Sequence, residues 1–174
     1  ITAVTVNDWL SVLQASNQIT LLEPYFGNVS KRLIKSPKLY LNDTGLLCYL
    51  LGLSEKSLTT SSHLGAIWET FVLSELRKIL ADVPHSSLWF YRDRQREIDF
   101  LLDVEGKLRL MEAKWTELPA AKDCKSVELL ADILDKDISK IEVVCRSKTS
   151  YPISIRTDAV NGFSLWKNIL ITPD

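Results

Sequence analysis

Residues that bind soft metals or form disulfides are scarce in this chain. Its 174 residues include 3 cysteines and 2 histidines. The cysteines lie far apart and form no CxxC pair, so the sequence predicts neither a structural zinc site nor a disulfide framework. We expect Cys48, Cys124 and Cys145 to be buried, reduced thiols. We expect His63 and His85, which lie in polar stretches, to be on the surface.

Long apolar runs are also missing. No segment approaches the roughly 18 apolar residues of a membrane-spanning helix, and the N-terminus does not resemble a signal peptide. No GxxxxGK[ST] phosphate loop occurs, so we expect no nucleotide binding and no ATPase activity from these residues. The chain begins Ile1-Thr2 and its single methionine is Met111. We therefore expect a fragment of a longer, cytoplasmic polypeptide.

A strong excess of one charge sign is absent too. The formal net charge is −1 and the isoelectric point is near 6.2, which is not the basic signature of a protein that binds nucleic acid by charge alone. Contact with nucleic acid would have to be local, or depend on metal ions or a partner. A hydrophobic content of 46% is ample for one packed domain, with or without a small appendage.

The sequence predicts two units, residues 1–60 and residues 61–174, with the Ser/Thr-rich segment 54–62 as the linker between them. The first unit has a capped helix, two short strands and a second capped helix, an order that outlines a winged-helix-like unit. These four elements are expected at residues 5–17, 19–26, 38–41 and 44–51.

The second unit follows the order α-β-β-β-α-β, which predicts a mixed α/β domain with helices flanking one central sheet. Its first helix is apolar around much of its circumference and is expected to be largely buried. The six elements are expected at residues 65–80, 88–91, 97–104, 107–115, 118–134 and 141–145.

The most informative stretch is the hairpin formed by the second and third of these strands, whose arms alternate apolar and polar residues. A turn at residues 105–106 places Asp99 directly opposite Glu112, with Lys114 projecting from the same face. A register shifted by one residue would put the two carboxylates on opposite faces. Like charges placed opposite each other destabilise a sheet, so this pair needs a compensating charge, and a divalent cation supplies one.

A third carboxylate, Glu69, lies on the long helix among apolar neighbours, where a buried charge needs a basic partner or a metal. We expect the helix to place it beside Asp99 and Glu112. Oxygen ligands without His or Cys suit Mg²⁺ or Mn²⁺. Such an ion can generate hydroxide near neutral pH and stabilise charge on a phosphoryl group. Lys114 would then orient the water or stabilise the oxyanion.

These residues resemble the core motif of the PD-(D/E)XK nucleases, the restriction-endonuclease-like superfamily. Ile98-Asp99 is followed, after a spacer of twelve residues, by Glu112-Ala113-Lys114, with Ile98 standing where the motif has Pro. Segments 35–46, 68–76 and 90–93 resemble an uncharacterised domain that follows the ATPase core in many prokaryotic AAA-type ATPases.

The resemblance implies a restriction-endonuclease-like α/β fold with a mixed central sheet. It implies Asp99, Glu112 and Glu69 as metal ligands, and Lys114 together with Asp99 and Glu112 as catalytic residues. It also implies that the ATPase core of the same polypeptide is a partner. Many relatives in such families keep the fold for binding alone.

Two groups of basic residues can contact phosphates. For the group around the predicted wing, a solvated surface or a contact with the ATPase core is the favoured interpretation. The second group lies before Asp99 and on the helix after the hairpin, near the candidate site. The first group comprises Lys31, Arg32, Lys35 and Lys38, and the second comprises Arg92, Arg94, Arg96, Lys122 and Lys125.

Three hypotheses remain open from the sequence. The first is a Mg²⁺- or Mn²⁺-dependent phosphodiesterase acting on DNA or RNA. The second is a non-catalytic module that recognises a nucleic acid or a protein for the attached ATPase. The third is a structural charge cluster, in which Lys114 pairs with Glu112 or Glu97 and Asp99 pairs with an arginine of the preceding turn.

Overall fold

The computed structural model describes residues 1–26, 36–134 and 137–169. In the N-terminal part, the described residues form three helices and one antiparallel pair of strands. A capping serine begins a short helix inside the predicted linker, so this segment is more ordered than its composition indicates. These elements are α1 (Ala3–Ala15), β1 (Ile19–Leu22), β2 (Lys38–Leu41), α2 (Thr44–Leu50) and α3 (Glu55–Leu58).

Local capping explains where these helices begin. The Thr2 hydroxyl accepts a hydrogen bond from the Thr5 N–H, so α1 starts at Ala3, before the predicted capping box, and that predicted start is wrong. The Asp43 carboxylate accepts the Leu46 N–H at 2.7 Å, which confirms the predicted cap of α2. Strand β1 is shorter than predicted because Pro24 cannot continue the ladder.

The described residues from 64 onward contain a six-stranded sheet in the order β3-β4-β5-β6-β8-β7. The pairs β3–β4, β4–β5 and β7–β8 are antiparallel, and β5–β6 and β6–β8 are parallel. The predicted mixed α/β class is therefore confirmed. The elements are α4 (Leu64–Leu80), β3 (Ser86–Arg92), β4 (Glu97–Val104), β5 (Lys107–Ala113), α5 (Ala121–Leu134), β6 (Ile138–Cys145), β7 (Tyr151–Pro152), β8 (Thr157–Asn161), a 3₁₀ turn (Gly162–Ser164) and α6 (Trp166–Ile169).

The β4–β5 hairpin has the predicted register. Val104 pairs with Lys107, and the pairing continues without a shift to Phe100 and Met111. Glu105 and Gly106 have positive φ angles of 54° and 83°, as a two-residue type I′ turn requires. The turn therefore fixes which residues of the two strands face each other.

Helices cover the sheet through two hydrophobic clusters. Side chains of α4, among them Val72 and Leu76, pack in the same cluster as Phe100 and Met111. Side chains of α5 pack in a second cluster, which includes Leu101 and other residues of the hairpin. Seven residues of α4 are buried, which confirms the prediction of a largely buried helix. The hairpin is thus held between two helices, and this position makes it a rigid support for the charged side chains at its open end.

Several smaller predictions are also settled. Cys124 and Cys145 are buried free thiols and Cys48 is half-buried, while both histidines are exposed. Over the described ranges, we find no helix with the length and apolar character needed to cross a bilayer.

Candidate functional site

The candidate site lies where the β4–β5 hairpin opens. The register places Asp99 opposite Glu112, next to the last paired residues of the hairpin. Asp99 Oδ2 accepts the backbone N–H of Ala113 at 2.9 Å, which fixes this carboxylate against β5. Both acids are buried, with 8% of Asp99 and 9% of Glu112 exposed. Two carboxylates in a poorly solvated place need positive charge nearby.

Lys114 supplies one positive charge to this pair. Its Nζ donates a hydrogen bond to Glu112 Oε1 at 2.7 Å, and its side chain remains 41% exposed. The other carboxylate oxygen, Glu112 Oε2, is buried and has no hydrogen-bond partner among the described residues. A buried carboxylate oxygen without a partner is costly, so this atom marks a place where the site lacks a donor or a cation.

The pKa values of both acids reflect this environment. Burial, and then the negative charges of Glu112 and Glu69, raise the pKa of Asp99 to about 7, although the nearby Lys38 opposes the shift. Burial also raises the pKa of Glu112, against the opposing effect of Lys114. The positive charges present are therefore too few to keep both acids as acidic as they are in water.

A second cation reaches the site from the N-terminal part of the chain. Lys38 Nζ lies 2.8 Å from Glu69 Oε1, 2.5 Å from Glu97 Oε1 and 3.5 Å from Asp99 Oδ1. Its side chain is 11% exposed. Burial would lower the Lys38 pKa, but the charges of Glu69 and Asp99 outweigh this effect and raise it. The interpretation of Lys38 as a solvated or ATPase-facing residue is therefore wrong.

Glu69 belongs to the same cluster but is already bound. Its Oε1 accepts hydrogen bonds from Lys38 Nζ and from the Tyr40 hydroxyl. Burial and the charge of Glu69 both raise the pKa of Tyr40, so this phenol stays protonated and acts as a donor. The sequence predicted a basic or metal partner for Glu69, and in this structure the basic partner is Lys38.

The three arginines that precede β4 differ in their partners and in their exposure. Arg92 forms two hydrogen bonds with the Glu97 carboxylate, from Nε at 2.7 Å and from Nη2 at 2.5 Å. Arg96 Nη1 lies 3.7 Å from Asp93 Oδ2, and Arg94 is exposed. The partner of Asp99 is thus Lys38, not an arginine of this turn. Lys122 and Lys125 are exposed on the first turns of α5, and Lys31, Arg32 and Lys35 lie outside the described residues.

The number of acidic side chains at the site argues against a magnesium or manganese ion, but their chemistry suits one. In the described ranges, no group of three or more His, Cys, Asp or Glu side chains is arranged to hold a metal ion. Asp99 and Glu112 nevertheless form an all-oxygen pair, and within the described part of the chain Glu112 Oε2 has no hydrogen-bond partner. Mg²⁺ is commonly held by one or two carboxylates together with water and substrate phosphate. The pair therefore fits such an ion, whereas Glu69 is engaged by Lys38 and Tyr40.

The fold and the cluster together describe a mixed α/β protein with a buried carboxylate pair at the open end of a hairpin. The chain belongs to the family of the domain of unknown function DUF4143, whose model matches residues 64–164. This domain is found in AAA-ATPase-associated proteins. The model of another domain of unknown function, DUF8612, matches residues 1–57.

The similar proteins give no activity for this chain. It is 32% identical over 158 residues to the uncharacterized protein Mb2031c of Mycobacterium bovis and to the uncharacterized protein Rv2008c of Mycobacterium tuberculosis. Each match covers 90% of this chain and 34% of the relative, so the chain spans about a third of the length of these relatives. Protein VC1899 from Vibrio cholerae matches in structure with a TM-score of 0.42 and 16% identity, over 95% of this chain and 41% of that one.

Proposed function

We propose that this chain is a restriction-endonuclease-like module that cleaves phosphodiester bonds in DNA or RNA with Mg²⁺ or Mn²⁺. The observation that carries this proposal is the buried pair Asp99 and Glu112, in which both acids have raised pKa values and one oxygen has no partner among the residues that the structure describes. A bound divalent cation would satisfy that oxygen and offset the repulsion between the acids. Exposed cations at Lys122 and Lys125 would supply local phosphate contacts that the overall charge does not.

The residues of the site would have separate tasks. Asp99 and Glu112 would hold the ion, which would supply a hydroxide nucleophile and stabilise charge on the phosphoryl group. The Ala113 N–H keeps the Asp99 carboxylate in place. Lys114 is half-exposed while still bound to Glu112, so its ammonium group can face both the carboxylate and an incoming phosphate.

The family also indicates a setting for this chain. We propose that residues 1–60 form a winged-helix-like unit and that the chain acts in the cytoplasm beside an AAA-type ATPase core of the same polypeptide. The family's occurrence in AAA-ATPase-associated proteins supports this partner. The ATPase would then deliver or remodel the nucleic acid on which the hairpin site acts.

Metal binding tests the proposal without knowledge of the substrate. We would titrate the chain with Mn²⁺ by calorimetry beside Asp99→Asn, with Asp132→Asn as the matched control because Asp132 is an exposed acid on α5. We expect saturable binding in the wild type and the control, and binding at least about tenfold weaker in Asp99→Asn. Equal binding in all three proteins, or no binding in any of them and none in a Lys38→Met variant, would overturn the proposed site.

Cleavage assays then separate binding from chemistry. With labelled single- and double-stranded DNA and RNA in Mg²⁺ or Mn²⁺, Lys114→Ala should lose cleavage and keep Mn²⁺ binding, whereas Asp99→Asn should lose both. A wild type that binds the metal but cleaves none of these substrates would contradict the proposed nuclease activity.

A specific observation favours a second candidate function, a non-catalytic recognition module. Lys38 already neutralises part of the carboxylate cluster, as expected for a fold whose charges are balanced internally. In that case the chain would bind a nucleic acid or protein partner for the ATPase without metal. The two functions differ in the Mn²⁺ titration, because the recognition module predicts no binding.

A further inference from the structure

Among the described residues, the Lys38 ammonium has the most carboxylate contacts, since it lies among three acids. Its Nζ lies 2.8 Å from Glu69 Oε1, 2.5 Å from Glu97 Oε1 and 3.5 Å from Asp99 Oδ1. Of these, Glu97 also has Arg92 as a partner. The contact with Asp99 is the longest of the three, so Asp99 is the acid that Lys38 neutralises least.

The N-terminal part of the chain brings this lysine to the hairpin. On β2, Lys38 and Tyr40 share one face because they are two residues apart, whereas Leu39 on the opposite face is 53% exposed. Both side chains of the shared face reach Glu69 on α4. The charged cluster is therefore assembled from both parts of the chain.

Backbone hydrogen bonds hold this arrangement against the edge of the main sheet. The segment after β1 runs beside β3, with the Tyr25 N–H donating to the Phe90 carbonyl at 2.7 Å and the Phe90 N–H donating to the Glu23 carbonyl at 3.1 Å. Lys38 Nζ also lies 5.3 Å from the centre of the Phe90 ring. A shift of β1 and β2 relative to β3 would move Lys38 relative to the carboxylates.

We propose that Lys38 is a built-in counter-cation that competes with a divalent metal for the carboxylate cluster. The inference rests on the proposed function, because it concerns the same site. An ammonium group and a metal ion cannot occupy the same space, and at short distance in a buried site their charges repel strongly. A metal ion can therefore bind tightly beside Asp99 only if Lys38 withdraws. While Lys38 stays, the ion binds more weakly.

This competition makes the N-terminal part a regulator of the site. When β2 keeps Lys38 in the cluster, metal affinity is low; when β2 shifts, Asp99 Oδ1 is released. Glu97 can remain paired with Arg92, so the withdrawal of Lys38 leaves Glu69 and Asp99 as the acids in need of a cation. A partner that moves β1 and β2 would thus switch on metal binding.

A Mn²⁺ titration of Lys38→Met tests the competition directly. We expect Lys38→Met to bind Mn²⁺ about tenfold or more tightly than the wild type, since one competing positive charge is removed. The matched control is Lys78→Met, which removes the exposed lysine of the Lys78–Glu75 pair and should bind Mn²⁺ like the wild type. Measurable and equal binding in the wild type and Lys38→Met would overturn the role of Lys38 and leave the proposed function intact.

A second variant covers the case in which Lys38→Met does not fold. Lys38→Met/Glu97→Gln removes one charge of each sign, keeps Asp99 and Glu112, and should also bind Mn²⁺ more tightly than the wild type. Tighter binding in either variant supports the inference. Absence of Mn²⁺ binding in the wild type and in both variants would overturn the proposed function, and the competition with it.

Discussion

Two groups of buried charges share β5 and are built in opposite ways. Arg109 on β5 and Glu142 on β6 are 6% and 2% exposed, and the guanidinium makes a two-pronged contact, with Nη2–Oε1 at 2.7 Å and Nε–Oε2 at 3.1 Å. Three residues further along β5, Glu112 faces a second acid, Asp99, and keeps one oxygen without a partner among the described residues. In the first group the described contacts join a base to an acid, whereas the second group has an excess of negative charge.

The difference separates a structural ion pair from the proposed functional site. A buried ion pair with complete hydrogen bonding needs nothing from outside the fold. An excess of buried carboxylate destabilises the fold in the absence of a ligand and favours any cation that can enter. The Arg109–Glu142 pair is therefore the natural reference for the Asp99–Glu112 pair.

Breaking the structural pair should have the largest effect. Arg109→Met leaves the Glu142 carboxylate buried without its guanidinium partner, so we expect the free energy of unfolding to fall by about 3–5 kcal/mol. Urea denaturation followed by circular dichroism measures this change. Arg109→Met/Glu142→Met, which removes both charges, should recover most of the loss. A decrease below about 1 kcal/mol in the single variant would show that the Glu142 carboxylate does not depend on Arg109 for its stability in the core.

The carboxylate pair should instead make stability depend on pH. The pKa of Asp99 is about 7 in the folded protein, raised from 3.8. Between these values the folded state binds more protons than the unfolded state, so the free energy of unfolding falls as pH rises from about 4 to 7. At 1.36 kcal/mol per pKa unit, the upper limit is about 4 kcal/mol. The raised pKa of Glu112 acts in the same direction.

The measurement is urea unfolding at several pH values between 5 and 8, with a chelator present. Asp99→Asn should flatten the profile because the neutral amide does not titrate. Asp132→Asn, which changes an exposed acid, should leave the slope as in the wild type. A wild-type profile that is flat, or that rises with pH in this window, would contradict the raised pKa of the pair.

The Tyr40–Glu69 hydrogen bond should contribute less than either buried pair. Tyr40→Phe removes only the hydroxyl that donates to Glu69, and Lys38 still neutralises this acid. We expect a loss of about 1.5–3 kcal/mol in the free energy of unfolding, the range for a hydrogen bond to a charged group. Tyr49→Phe is the control, since Tyr49 is 78% exposed. Equal effects of the two substitutions would mean that the hydroxyl of Tyr40 is not a significant donor to the cluster.

Local signals in the sequence were sufficient for the hairpin and for part of the site. The turn at residues 105–106 fixes the register, and the register alone brings Asp99 opposite Glu112. The same alternation places Lys114 on the side of Glu112, where it donates its hydrogen bond. Contacts within one hairpin follow from sequence because a two-residue turn leaves the pairing no freedom.

Contacts between distant segments could not be predicted in the same way. Lys38 is 31 residues from Glu69, and their contact depends on how β1 and β2 pack against β3 and α4. The only local signal was that Lys38 and Tyr40 share one face of β2. The Arg109–Glu142 pair depends on the parallel pairing of β5 and β6, whose register is set by the packing of α5 and not by a turn. The sequence therefore indicated Lys114 as a partner of Glu112, but it did not indicate Lys38 as the partner of Glu69 and Asp99.

An exposed ion pair provides the lower end of the comparison. Arg156 Nη1 lies 2.7 Å from Asp132 Oδ1, but the two side chains are 47% and 61% exposed. Arg156→Met makes the same substitution as Arg109→Met, and water solvates the remaining Asp132 carboxylate. We expect a change of at most about 1 kcal/mol, which 1 M salt should reduce further. Urea unfolding of the two variants side by side measures what burial adds to an arginine–carboxylate pair. If Arg156→Met were as damaging as Arg109→Met, then the effect of the substitution would not depend on burial, and the distinction between the two charge groups on β5 would lose its physical basis.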